Sequence, residues 1–210
     1  MCITVTLAAP AVRTVDNTVS SLEKITHQNT PHHVRESLPS VMEITKKLTR
    51  LYTNGNQMRI TADVFANAGE LEMINLSDGD IMEIESRAFF GTPKLKKLDL
   101  SGNKLRSLPR DLFPQRNALK ELDLSNNKIS TLNRNTFKSL QHLKKIDLRN
   151  NQLTALSDLM FADLINLEEL DLSGNPIQSI SESFLASLPN GLALSFDDHH
   201  LDYKSQQLTE

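Results

Sequence analysis

Phenylalanine returns at a fixed interval of 24 residues, at Phe65, Phe89, Phe113, Phe137 and Phe161. A period of that length excludes a fold organised around one irregular core. It points to a stack of small units, each contacting only its neighbours. The units line up on the same anchor. LKKLDLSGNKLRSLPRDLFPQRNA starts at Leu95 and LKELDLSNNKISTLNRNTFKSLQH at Leu119. LKKIDLRNNQLTALSDLMFADLIN starts at Leu143 and LEELDLSGNPIQSISESFLASLPN at Leu167. Apolar residues hold places 1, 4, 6, 11 and 14 of each unit, and asparagine holds place 9. An earlier copy begins at Leu71, with Gly79 in the asparagine place. Weaker copies flank these, over residues 48–70 and 191–210.

Each unit opens with alternation, Leu-x-x-Leu-x-Leu, which suits a short strand with every second side chain facing inward. One such strand cannot bury its apolar face, so equivalent strands must pair in parallel as the units stack. Asn103, Asn127, Asn151 and Asn175 follow the strand, where the chain turns inside the stack. Backbone groups there need partners, and an amide side chain offers both donor and acceptor. The phenylalanine rings fill the wider return side of each unit.

These motifs resemble the leucine-rich repeat, in its 24-residue typical class. The strong match covers residues 71–190, and weaker units extend it over 48–210. The resemblance implies an α/β fold: a right-handed curved solenoid with a concave parallel sheet. Residues 1–47 are expected to form an N-terminal arm and helical cap, 48–190 the repeats, and 191–210 a degenerate last repeat and C-terminal cap. Val19, Leu22 and Ile25 have helical spacing, as do apolar residues from Val34 to Ile44 after the break at Pro31. The apolar start, MCITVTLAAPAV, lacks the basic residues that open a secretory signal and reads as a short edge strand or an N-terminal arm. A trimmed mature chain that keeps a start methionine stands beside that reading.

A net charge of −3 gives no broad basic field for nucleic acid, and no run of the sequence has the length of a membrane span. Cys2 is the only cysteine, so no disulfide forms within a chain. Extracellular animal members of the family usually close their ends with cysteine-rich caps. This chain departs from that pattern, which fits a cytoplasmic or other reducing compartment, or a bacterial protein secreted into a host cell. The sequon at Asn75 falls on the expected strand and reads as accidental. The pairs His32-His33 and His199-His200 do not suit chelation alone, because neighbouring residues diverge on strand or helix. No cofactor, metal site or catalytic motif is expected.

The remaining candidate surface is the outward side of the strands. Place 2 reads Glu72, Lys96, Lys120, Lys144 and Glu168; place 3 reads Met73, Lys97, Glu121, Lys145 and Glu169. Place 5 reads Asn75, Asp99, Asp123, Asp147 and Asp171; place 7 reads Ser77, Ser101, Ser125, Arg149 and Ser173. In a bland reading these charges solubilise the face, with lysine and aspartate balancing one another across strands. In the functional reading the face binds a protein partner. Arg149 stands first, because it breaks a serine column and can form bidentate bonds to a carboxylate. Lys145, Asp147, Lys97, Lys120 and Glu121 surround it. The expected function is a protein–protein interaction module, in one version a bacterial effector acting on a host protein. An assembly protein that forms a homodimer through its solenoid ends is the first alternative, and a metal-binding or enzymatic protein the second.

Overall fold

The computed structural model describes residues 2–4, 49–52, 60–62, 64–133 and 135–197. The cap helices expected over 15–47, both histidine pairs and the last residues, 198–210, lie outside these. Strands β1 (Cys2–Thr4), β2 (Arg50–Tyr52), β3 (Met73–Asn75) and β4 (Lys97–Asp99) come first. Then follow β5 (Glu121–Asp123), β6 (Lys145–Asp147), β7 (Glu169–Asp171), the helix α1 (Glu182–Ser187) and β8 (Ala193–Ser195). The strands form one parallel sheet of eight in strict chain order. Residues at the same place of successive units pair directly: Lys97 with Glu121, Glu121 with Lys145, Lys145 with Glu169. The 24-residue period thus becomes a register. Of the two readings of the chain's start, the strand is present: β1 pairs in parallel with β2. The degenerate last unit likewise supplies β8, which pairs with β7.

The apolar places point inward. Leu95, Leu98, Leu100, Leu105 and Leu108 are all buried, as are Leu119, Leu122, Leu124 and Ile129 in the next coil. Each such leucine removed from water contributes about 1.5–3 kcal/mol, gained only when a neighbouring coil covers it. Behind the sheet the rings align in two runs, broken between Phe113 and Phe137. Phe65 and Phe89 stack with centroids 5.3 Å apart, Phe89 and Phe113 at 5.5 Å, and Phe137 and Phe161 at 5.5 Å. The chain then turns tightly, with Ala68, Thr92, Leu140 and Leu164 N–H donating to the carbonyls of Phe65, Phe89, Phe137 and Phe161.

The last ring departs from the period. Phe184 sits 23 residues after Phe161 and meets it edge-on, at 6.1 Å and 74°. Local chemistry explains the shift. The Ser181 hydroxyl caps α1 by accepting the Phe184 N–H at 3.0 Å, with Glu182 in the first turn. Winding the return segment into helix brings Phe184 into the buried slot and leaves Leu185, at the regular place, exposed.

The buried asparagines tie successive coils together. The Asn127 amide donates to the Leu100 carbonyl of the preceding coil at 2.9 Å and to its own Leu124 carbonyl at 3.0 Å. Its oxygen accepts the preceding coil's Leu105 N–H at 3.0 Å. Asn103, Asn151 and Asn175 make the same set. Place 8, just before, must turn left-handed. Its residues have φ between 53° and 70° and are Asp78, Gly102, Asn126, Asn150 and Gly174, types that tolerate this region.

Replacing Asn127 by alanine strands the Leu105 N–H, whereas the Leu100 and Leu124 carbonyls keep the amides of Asn103 and Asn151. One buried donor left without a partner costs about 1–3 kcal/mol. Asn127→Ala is therefore expected to lower stability in urea by about 2 kcal/mol, with native secondary structure retained. A loss no larger than the roughly 0.5 kcal/mol of ordinary surface substitutions contradicts the ladder's importance.

Candidate partner-binding face

The outward places of β3 to β7 form columns, because the strands are in register at about 4.8 Å spacing. In the place-3 column Lys97 reaches Glu121 at 2.7 Å and Lys145 reaches Glu169 at 2.5 Å. In the place-2 column Lys96 pairs with Glu72 at 2.9 Å and Lys144 with Glu168 at 2.5 Å. Lysine is therefore balanced by glutamate of the adjacent strand, and the expected lysine–aspartate balance is not what forms. The hydrogen bond from Lys145 to Glu169 raises the lysine pKa, and that from Lys97 to Glu121 does the same. These pairs are half-exposed and each contributes about 0–1 kcal/mol.

The aspartates have a different task. Asp99 Oδ1 accepts the Ser101 N–H at 3.0 Å and its hydroxyl at 2.6 Å. Asp171 holds the N–H and hydroxyl of Ser173 in the same way. Asp123 accepts the Ser125 N–H at 2.9 Å. Each carboxylate closes the turn at the end of its own strand, two residues on. Asn75 does the same for Ser77, and its amide donates to Asp99 at 3.0 Å.

Arg149 replaces the serine in this arrangement. Its N–H donates to Asp147 Oδ1 at 3.1 Å, and its guanidinium lies 3.2 Å from Asp147 Oδ2. The Asp147 side chain is only 9% exposed and that of Arg149 is 50% exposed. Burial pushes the Asp147 carboxyl above its ordinary value of 3.8. The Arg149 N–H and guanidinium oppose that shift, while the charges of Asp123 and Asp171 add to it. Lys120 is exposed and makes no ion pair among the described residues. Its column neighbours Lys96 and Lys144 are each committed to a glutamate.

The six residues singled out in the sequence thus divide. Lys97 and Glu121 meet each other, and Arg149 and Asp147 meet each other. Lys145 turns to Glu169, which sequence reasoning did not single out, and Lys120 stands apart. The alternation Lys97, Glu121, Lys145, Glu169 along one column carried the signal for Glu169. Among the described residues no helix is long and apolar enough to cross a membrane, and no group of three or more metal-ligating side chains converges.

A raised carboxyl pKa means that the folded state holds this proton more tightly than the unfolded chain. Ionised Asp147 therefore costs stability, in full above the folded pKa, and the cost lifts as pH falls through that value toward the unfolded one. Asp147→Asn, whose oxygen can accept the Arg149 N–H as Asn75 accepts that of Ser77, is expected to be as stable as the parent or more stable at pH 7. The parent should recover relative to the variant in acid. Urea titrations at several pH values check this, and a loss above about 1 kcal/mol at neutral pH contradicts it.

Comparison with known proteins agrees with this architecture. The leucine rich repeat family model matches residues 46–105, 93–153 and 141–195. Among solved structures, a leucine-rich repeat protein of Leptospira interrogans is 30% identical, with a TM-score of 0.62 over 74% of this chain and 38% of that one. A chain in the octameric complex of Latrophilin 3, Unc5D and FLRT2, in which FLRT2 carries the leucine-rich repeats, is 25% identical, with a TM-score of 0.64. That match covers 74% of this chain and 49% of the other. The chain thus spans less than half of each of these two solved chains. No curated protein sequence matches it.

Proposed function

The chain belongs to the leucine-rich repeat family, and on that premise we propose that it is a non-enzymatic protein–protein interaction module whose concave face, centred on Arg149, holds a protein partner. The observation that carries this reading is the Arg149–Asp147 pair. A nearly covered carboxylate holds one side of a half-exposed guanidinium, which makes no other polar contact among the described residues. Such an arginine is pre-organised for a partner's carboxylate, and arginine is enriched among residues that dominate binding energy. Asp147 then positions Arg149, and Lys120 adds an uncommitted cation. Lys97, Lys145 and Glu121 form a paired rim whose charges a partner can exchange for its own. The neighbour that carries its repeats in a multiprotein complex supports the same class of function.

The finer version is a secreted bacterial effector that acts on a host protein. It draws on the likeness to the Leptospira protein and on a single cysteine compatible with a reducing compartment. A homodimer through the solenoid ends is the competing reading. It draws on the last described strand, where Leu194 of β8 and Phe196 just after it are only partly buried.

Arg149→Ser is the informative variant, because it restores the residue of its own column and gives Asp147 the hydroxyl donor that Asp99 and Asp171 have. Charge reversal at Arg149 would instead set a second carboxylate beside Asp147 and confuse folding with binding. With a partner captured from eukaryotic lysate, Arg149→Ser is expected to weaken binding by about 2 kcal/mol while thermal stability holds. Affinity should also fall as salt rises. Unchanged affinity in Arg149→Ser rejects the concave centre, and a dimer that persists without any partner favours the competing reading.

A further inference from the structure

We infer that the flank of the solenoid carries a second docking surface, a basic groove that takes an extended acidic segment of a protein partner bearing apolar side chains. The groove encloses about 510 Å³ and spans three coils. Met82, Glu83 and Ile84 line it from the first coil, Lys104 and Arg106 through Pro109 from the second, and Lys128 from the third. All lie at places 10–15, outside the strands, so the groove does not share residues with the concave face. Backbone bonds between coils fix its floor: Lys104 N–H to the Ile81 carbonyl at 2.9 Å, and Lys128 N–H to that of Leu105 at 2.9 Å.

Its chemistry is asymmetric. Ile84 and Leu108 are buried beneath, while Met82 stands 62% exposed on the rim. An unbranched thioether in that position adapts to a range of apolar side chains. Lys104 is held by Asp80 at 2.6 Å. Arg106 and Lys128 make no ion pair among the described residues. With Lys104 neutralised by Asp80, the lining keeps two uncommitted cations, Arg106 and Lys128, against the carboxylate of Glu83. A cationic excess on a chain whose net charge is −3 favours acidic partners.

An acidic peptide fits this lining better than nucleic acid does. A phosphate backbone uses a run of cations and gains nothing from an exposed methionine. Alternate residues of an extended peptide point to opposite sides, so carboxylates can meet Arg106 and Lys128 while apolar side chains cover Met82.

The test uses the full chain and a fluorescein-labelled peptide of alternating glutamate and leucine, about ten residues long and so roughly 35 Å when extended. Fluorescence anisotropy is expected to show saturable binding. The double variant Arg106→Glu/Lys128→Glu should bind about tenfold more weakly, since two exposed attractions become repulsions. Met82→Ser should weaken binding several-fold, and a lysine–leucine peptide should not bind. All these positions are exposed, and circular dichroism confirms the fold of each variant. No binding at about 1 mM glutamate–leucine peptide overturns the inference, as does equal affinity in the variants. Preferential binding of a short DNA duplex overturns it in favour of a nucleic-acid surface. Arg149→Ser separates the two proposals: loss of peptide binding there overturns the groove and assigns the peptide to the concave face, whereas retention with loss in Arg106→Glu/Lys128→Glu supports the groove whatever becomes of the concave reading.

Discussion

Four successive coils turn their backbone inside the stack, away from water, and one buried amide in each, from Asn103, Asn127, Asn151 and Asn175, makes that tolerable. Apolar burial supplies the larger energy and its alternation resists a one-residue slip, but it constrains register less sharply, since an offset of two residues still sets leucine against leucine. The asparagine is stricter. Asn127 must find the Leu100 and Leu124 carbonyls and the Leu105 N–H together, and a coil shifted by one residue loses all three. That demand aligns the strands, and aligned strands place like positions in columns. The aromatic stack and the charged face are both consequences of that register.

The paired columns also explain how a surface so rich in charge can be both soluble and selective. Lys97, Lys145, Lys96 and Lys144 are each neutralised locally by a glutamate one strand away. Within these two columns charge is cancelled locally except at Lys120, where the alternation lapses, whereas the place-5 aspartates keep theirs and, among the described residues, Asp147 alone meets a cation, Arg149, the residue that breaks its column. Exposed pairs of this kind contribute little to stability, so exchanging them for a partner's charges costs the fold little. Function can be written at the lapses without disturbing the frame.

Features that repeat with the period were legible in the sequence, because each copy of the pattern confirmed the others. The inward leucines, the asparagine places and the first five rings all belong to this group. What the sequence hid was whatever broke the period or crossed it. Phe184 falls one residue early because a serine cap winds α1, a local choice that the 24-residue pattern gives no reason to expect. The aspartates read as charge because their composition is charged, yet their contacts two residues along the chain make them turn formers. Glu169 was visible in its column but gained meaning only once Lys145 was seen to turn toward it. The basic groove draws on three coils at places that no consensus marks.

The asparagine bonds run in one direction. Each amide reaches back to complete the coil before it: Asn175 supplies the acceptor for the Leu153 N–H and a donor to the Leu148 carbonyl. A coil's polar accounts therefore stay open until its successor is in place. Shortening the array from its C-terminal side exposes an unmet donor in the coil left last. Shortening from the other side leaves each amide with carbonyl partners in its own coil. The stack has a polarity of completion, and its two ends are not equivalent targets for fraying.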